Sequence, residues 1–276
     1  MPNAQLALIA LAGFAAGAVN ALAGGGTLIS FPALVAAGLS PLAANITSTI
    51  ALCPGFLGAT YSQRSDLRGQ RKRLYLLLPC GLIGGVLGAA LLLKTGERKF
   101  TESVPWLLLG ACALLASQEH IRRVLAARSA GNSRAADAGS HVPLWLMLVI
   151  GVAAIYGGFF GPGMSVMVLA VLGLAFDDSL TRLNALKQPI SMTVSCAAAL
   201  LLALRAPVDW KVVGVLAISA LLGGMCGGTL AGRLSPQWLR RVVVLLGIAV
   251  ALVYVWRAHL APTAGAAVPA YHRGLP

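Results

Sequence analysis

Acidic side chains are scarce in this sequence, eight against 21 Lys and Arg in 276 residues, and none falls inside an apolar run. Asp66, Glu97, Glu102, Glu119, Asp137, Asp177, Asp178 and Asp209 all stand at the ends of such runs or in polar connections. That excludes a relay of buried carboxylates through a membrane, and with it the acidic cage a dication carrier needs. The four histidines, His120, His141, His259 and His272, are equally peripheral, which argues against an intramembrane Ser–His hydrolase and against a multi-ligand metal channel. The five cysteines (Cys53, Cys80, Cys112, Cys196, Cys226) form no close pair in sequence. Their spacing indicates neither a disulfide framework nor a metal knuckle, and they read as small packing residues. No cofactor and no metal is expected. No Lys or Arg precedes the first apolar run, so the charged region of a secretory leader is missing and the run reads as a retained first span.

What the chain does contain is apolar length. Hydrophobic residues make up 58% and charged residues 11%, more apolar surface than a water-soluble domain can bury. Runs near the roughly 20 residues needed to cross a bilayer recur at 4–23, 43–61, 74–93, 104–118, 143–160, 180–204, 212–231 and 239–255. The fourth is short and continues amphipathically to about Leu125. The net charge of +13 would suggest nucleic acid in a soluble protein. Here the basic residues flank spans, and the positive-inside bias accounts for them without a nucleic-acid partner. "SQRSDLRGQRKR" (62–73) and the linker 118–142, with Arg122, Arg123, Arg128 and Arg134, are expected in the cytoplasm. In the second half Lys and Arg divide nearly evenly between the two sides.

Two apolar stretches are interrupted in the same manner. "NALAGGGTLISFP" (20–32) carries Gly24, Gly25 and Gly26, and "YGGFFGPGMS" (156–165) carries Gly161, Pro162 and Gly163. Glycine and proline are the poorest helix formers, so each stretch predicts a break. The pieces that follow, "TLISFPALVAAGL" and "MSVMVLAVLGLAF", rise only about 20 Å as helices, too little to cross alone. The breaks belong to an internal duplication. Gly24–Gly26 falls on Gly161–Gly163; after a shift of two residues Asn45 falls on Asn184, and Gly84, Gly85 and Gly88 fall on Gly223, Gly224 and Gly227. The expected fold is therefore an all-α polytopic membrane protein of about eight transmembrane helices plus two short re-entrant or broken helices, arranged as two internal repeats. Residues 1–125 form the first membrane repeat, 126–142 a polar linker, 143–260 the second repeat and 261–276 a disordered tail. Four spans and one re-entrant piece per copy leave the copies parallel, the arrangement the shortness of those pieces favours. Ten crossings in all would invert them.

"GGGTLISFPALVAAGLSPLAANITSTIALCPG", followed by "YSQRSDLR" and then by "YGGFFGPG" with "RLNALK", resembles the TauE/SafE sulfite exporter family, also called the sulfonate uptake permease family. The resemblance runs from about Gly13 to Trp256. It implies a multi-pass carrier of the cytoplasmic membrane that moves sulfite, sulfonates or related organic anions.

The residues themselves point the same way. A helix that stops inside a membrane leaves orphan NH or CO groups, so tolerated breaks line cavities. A half-helix starting after Gly26 or Gly163 turns its NH groups and positive dipole end toward such a cavity, which suits an anion. Candidate binding residues are Gly24, Gly25, Gly26, Gly161 and Gly163, the polar start of the next span (Asn45, Thr47, Ser48, Thr49), and its counterpart (Asn184, Lys187, Gln188). Asn45 could instead cap its own helix, and the hydroxyls could bond back to preceding carbonyls. Lys187 is the ionisable residue deepest in any span; it either faces the cavity or snorkels to the interface. Glycines 84, 85, 88, 223, 224 and 227 read as close-packing residues. The leading expectation is a secondary transporter, and exporter, of a small sulfur-containing anion bound between the repeats. The competing readings are a membrane-embedded lipid-modifying enzyme, for which no acid, base and nucleophile set is found, and a non-transporting assembly factor. The partners expected are the anion, the bilayer and, in an oligomer, further copies of the chain.

Overall fold

A computed structural model describes residues 3–22, 24–131, 142–230, 241, 244–245, 247–253 and 256. Most of the 126–142 linker and the whole 261–276 tail lie outside the described residues. No strand occurs among those described. Eight helices are α1 (Asn3–Leu22), α2 (Thr27–Ala36), α3 (Pro41–Ser62), α4 (Arg71–Gly131), α5 (Leu144–Phe159), α6 (Met164–Ala175), α7 (Leu180–Arg205) and α8 (Trp210–Leu230). Residues 247–253 are also helical. Among the described residues, five helices are long and apolar enough to cross a membrane, within α1, α3, α4, α7 and α8; α2, α5 and α6 are shorter apolar helices.

Local chemistry sets the helix starts. Ser40 stands before Pro41 and its hydroxyl accepts from the Ala43 amide at 3.4 Å; Ser179 does the same for Arg182 at 3.4 Å before α7. Each cap lies five residues before the duplicated asparagine, so the cap is part of the repeat. In α4 the two expected spans, 74–93 and 104–118, are joined by a single residue. Gly96, at φ 72° and ψ 167°, makes the whole turn between arms 71–95 and 97–131. The polar stretch after it is helix rather than loop, held by an Arg98–Glu102 pair one turn apart.

Close glycine contacts give the helix directions. A Cβ on Gly55 would meet the Ala220 carbonyl at 3.2 Å and one on Gly58 the Met225 side chain at 3.2 Å, so α3 runs alongside α8 in the same sense. So does α1, with Gly13 against Leu216, Gly17 against Ala220 and Ala18 against Gly227. The first arm of α4 runs with α7, Gly81 facing Val194 and Gly85 facing Ala197, and with α5, Gly84 facing Ala154 and Gly88 facing Ile155. Because α3 and that arm are joined by a short loop and run oppositely, α3 and α7 run oppositely too. Their facing ends are tied: the Asn184 amide donates to Gln63 Oε1 at 2.8 Å, and the Gln70 amide to the Arg182 carbonyl at 3.0 Å. The packing reading of glycines 84, 85, 88, 223, 224 and 227 matches these contacts, since a Cβ at any of them would stand within 2.7 Å of a neighbouring helix.

The same geometry makes α1–α2 and α5–α6 two helical hairpins that enter from opposite ends. The Gly26 backbone lies against Ala16, so α2 returns along α1. Its outer end is fastened by Glu97, which accepts from the Ser40 hydroxyl at 3.0 Å and the Leu42 amide at 3.2 Å. The tips interlock through aromatic rings: Phe31 of α2 packs edge-on to Phe160 at 5.9 Å, and Phe100 packs against Phe159 at 5.9 Å.

The helix packing also joins two cysteines that sequence spacing separates. Cys53 on α3 and Cys196 on α7 come close to one another where the two helices cross, while the Cys53 thiol donates to the Thr49 carbonyl at 3.4 Å. Oxidising a variant that retains only these two, then cutting it at a protease site placed within 126–142, should leave the halves joined on a non-reducing gel. Two free fragments would contradict the contact between α3 and α7.

Candidate functional site

Each hairpin turns through glycines held at positive φ. In the first tip Gly24 (φ 67°) and Gly25 (φ 137°) occupy that region, and the Gly24 amide donates to the Val19 carbonyl at 3.0 Å. The amides of Gly25 and Gly26 both donate to Asn20 Oδ1, at 3.2 and 3.0 Å, so one buried side chain caps the start of α2. In the second tip Gly161 (φ 90°) and Gly163 (φ 86°) flank Pro162, whose carbonyl accepts from the Tyr156 hydroxyl at 2.7 Å. The position matching Asn20 is Gly157, which has no side chain to cap with. Pro162 has no amide hydrogen, and no hydrogen bond to the amides of Gly163 or Ser165 occurs among the described residues.

The tips meet in the interior. A Cβ on Gly24 would stand 2.5 Å from Ser165 Cβ and 3.6 Å from Lys187 Nζ, and one on Gly161 would stand 3.8 Å from the Thr27 side chain. A small cavity of about 20 Å³ lies between them. Its polar wall is Asn20, Thr27, Thr49, Ser165 and Ser195 with the backbone of Gly25, Gly161 and Gly163; Leu52, Phe56 and Met164 form its apolar wall.

The expected site residues divide into two groups, with Asn184 outside both. Gly25, Gly161, Gly163 and Thr49 line the cavity, Gly24 and Lys187 stand at the meeting of the tips, and Gly26 begins α2 against Ala16. Lys187 has no exposed surface, so its ammonium stays in the interior instead of reaching the interface. A second group supports the tips, Asn45 and Gln188 from the opposite repeat. The Asn45 amide donates to the Phe159 carbonyl at 3.0 Å, ending α5, and the Gln188 amide donates to the Ala21 carbonyl at 3.5 Å, ending α1. Asn45 thus caps a distant helix, while Ser40 caps its own. Ser48 shares a 2.6 Å hydrogen bond with Ser30 of α2. Thr49 also bonds back to the Asn45 carbonyl at 2.9 Å, and Thr47 is buried beside them without lining the cavity. Asn184 belongs to neither group, since it holds Gln63 at the outer end of α3. Asn20, Thr27, Ser165 and Ser195 were not singled out in the sequence. Asn20 lies one helical turn before a glycine break and Ser165 directly after one, and those positions were the available signal.

A family model described as Sulfite exporter TauE/SafE matches residues 9–254, a range that takes in both hairpin tips and every residue of the cavity. The chain belongs to the TauE/SafE sulfite exporter family. TauE/SafE membership makes it a multi-pass membrane protein of a transporter family. It is similar to a probable membrane transporter protein of Haemophilus influenzae, 27% identical over 87% of this chain and 91% of that protein. It is also similar to the probable membrane transporter protein YfcA of Escherichia coli K12, at 26% over 88% and 87%, and to ORF9 of a Sinorhizobium species, at 25% over 90% and 91%. No solved structure matches the chain.

Outside the cavity, the exit of the second hairpin is clasped by charge. Asp178 accepts from Arg73 at 2.8 Å and from Arg182 at 2.9 Å, and the Arg73 guanidinium lies 4.1 Å over the Phe176 ring. Burial alone pushes the Asp178 carboxyl up, but the bonds from Arg73, the Ser179 amide and Arg182 outweigh it and hold the carboxyl below its ordinary value. A pKa lowered by folding adds stability above the unfolded pKa and loses it as pH falls through the folded one. Asp178→Asn should therefore lower the melting temperature in detergent at pH 7 by a few degrees, on the order expected for one charged hydrogen-bond cluster. The gap from the parent should close as the pH is taken below the carboxylate range. A pH-independent gap would contradict the clasp.

Proposed function

We propose that the protein exports a small sulfur-containing oxyanion, sulfite or a sulfonate, across the cytoplasmic membrane and binds it where the two hairpin tips meet. The observation that carries this reading is the polar gap where Gly24 of one tip meets Ser165 of the other, with the Lys187 side chain buried beside it. Positive potential from a lysine so placed favours a negatively charged ligand in the gap. The start of α6 points its dipole at the same place, and the hydroxyls of Thr27, Thr49 and Ser195 complete a polar wall. No carboxylate of the sequence falls within an apolar run, so the interior charge favours anions over cations.

The two repeats are, in this reading, inverted copies. Support comes from the opposed directions of α3 and α7, and from hairpins that enter at opposite ends. Inversion then arises from re-entrant hairpins with an odd number of full crossings per copy, not from the short pieces crossing. Such a pair of repeats with its site at the shared centre suits alternating access. With the basic 62–73 segment in the cytoplasm, the Arg73–Asp178–Arg182 clasp faces inward and the Ser40–Glu97 clasp faces outward.

The test is flux in vesicles that contain only this protein, screened with sulfite, thiosulfate, sulfoacetate, taurine and acetate. Lys187→Ala should remove flux of the transported anion while leaving the elution profile and melting temperature close to the parent's. A well-folded Lys187→Ala protein with parental flux would take Lys187 out of the site, and no anion flux in the parent would end the transport reading.

A further inference from the structure

The two tips are duplicates in sequence and differ in hydrogen bonding. In the first, the amides that would face an anion are already occupied, since Gly25 and Gly26 both donate to Asn20 Oδ1. In the second, Gly157 replaces that asparagine, Pro162 removes one amide hydrogen, and the amides of Gly163 and Ser165 meet no acceptor among the described residues. Both residues line the cavity. The two N–H groups on Oδ1 also fix the orientation of the Asn20 amide, because only its oxygen can accept. Its Nδ2 is therefore turned away from the start of α2. Asn20 is 2% exposed and lines the cavity, and Nδ2 has no hydrogen-bond partner among the described residues. A buried NH2 group left without an acceptor is costly, and a ligand oxygen would supply that acceptor.

We infer that the substrate sits asymmetrically on the second tip, held by the Gly163 and Ser165 amides on one side and by Asn20 Nδ2 on the other. This rests on the transport reading above and adds which groups hold the anion. Backbone amides and a carboxamide NH2 are all donors, so the ligand presents acceptors only. They converge from two separate elements, the start of α6 and Asn20 on α1. A pyramidal SO3 group offers three divergent oxygens to such a set, whereas a planar carboxylate offers two. The apolar wall of Leu52, Phe56 and Met164 accepts the organic substituent or the sulfur lone pair. Asn20 thus has two jobs: its oxygen closes the first tip and its nitrogen reads the substrate at the second.

Asn20→Asp separates these jobs. The carboxylate keeps an acceptor for Gly25 and Gly26 but loses the NH2 group and adds repulsion toward an anion. In detergent, the variant should melt near the parent temperature and bind methanesulfonate and sulfite about tenfold or more weaker, the worth of one hydrogen bond to a charged ligand. Parental affinity in a folded Asn20→Asp protein would overturn the inference while leaving transport intact. A second measurement needs no variant: the parent should bind methanesulfonate about tenfold or more tightly than acetate, on the same arithmetic. Equal affinities would overturn the joint hold of the α6 amides and Asn20 on one anion, and binding of neither anion, with no flux of any sulfur oxyanion, would instead count against the transport reading itself.

Discussion

A helix that ends in an apolar interior must find partners for its last carbonyls, and here each hairpin finds them in the other repeat. Gln188 of α7 meets the Ala21 carbonyl, and Asn45 of α3 meets the Phe159 carbonyl. Neither tip is complete within its own half of the chain. The rings of Phe31 and Phe160 extend the exchange, one from each hairpin. The cost of an unmet carbonyl, several kcal/mol in a membrane, binds the halves together where the chain is least regular. The cavity follows from that constraint: two glycine turns, brought tip to tip and capped crosswise, leave a polar gap that continuous helices would close.

The outer ends obey a different physics. Each hairpin is fastened at its own end by a carboxylate, Glu97 holding Ser40 and Leu42, and Asp178 holding Arg73 and Arg182. The Ser40–Glu97 bond is exposed, whereas Arg73 and Asp178 are each only 16% exposed and their bond is charge-assisted. α4 receives both clasps, Glu97 just after its Gly96 turn and Arg73 at its start, so one helix couples the two ends.

The breaks, the duplication and the interior lysine were legible in the sequence because each violates a simple rule. Glycine and proline do not belong in a continuous span, and a lysine does not belong deep in one. Direction was not legible. Apolar length says that a segment crosses or enters a membrane but not from which side, and only the contacts of α3 and α7 reveal their opposed sense. Partners across the repeats were hidden for a related reason: Asn45 and Asn184 align in sequence, yet one caps α5 and the other holds Gln63 outside the site. Asn20 was missed because it sits within helical, apolar sequence and its role depends on a turn that returns to it. The Cys53–Cys196 contact arises only from the crossing of two helices that lie far apart in the chain.

The central claim is that an oxyanion rests between the two tips, against the start of α6 and beside Lys187. A structure of the protein with bound selenite, in which selenium marks the anion by its anomalous scattering, tests it most directly. The account predicts a single selenium peak within hydrogen-bonding reach of the Gly163 and Ser165 amides and Asn20. Selenium found only among the basic residues of the 62–73 segment, with the gap between the tips dry and empty, would contradict it.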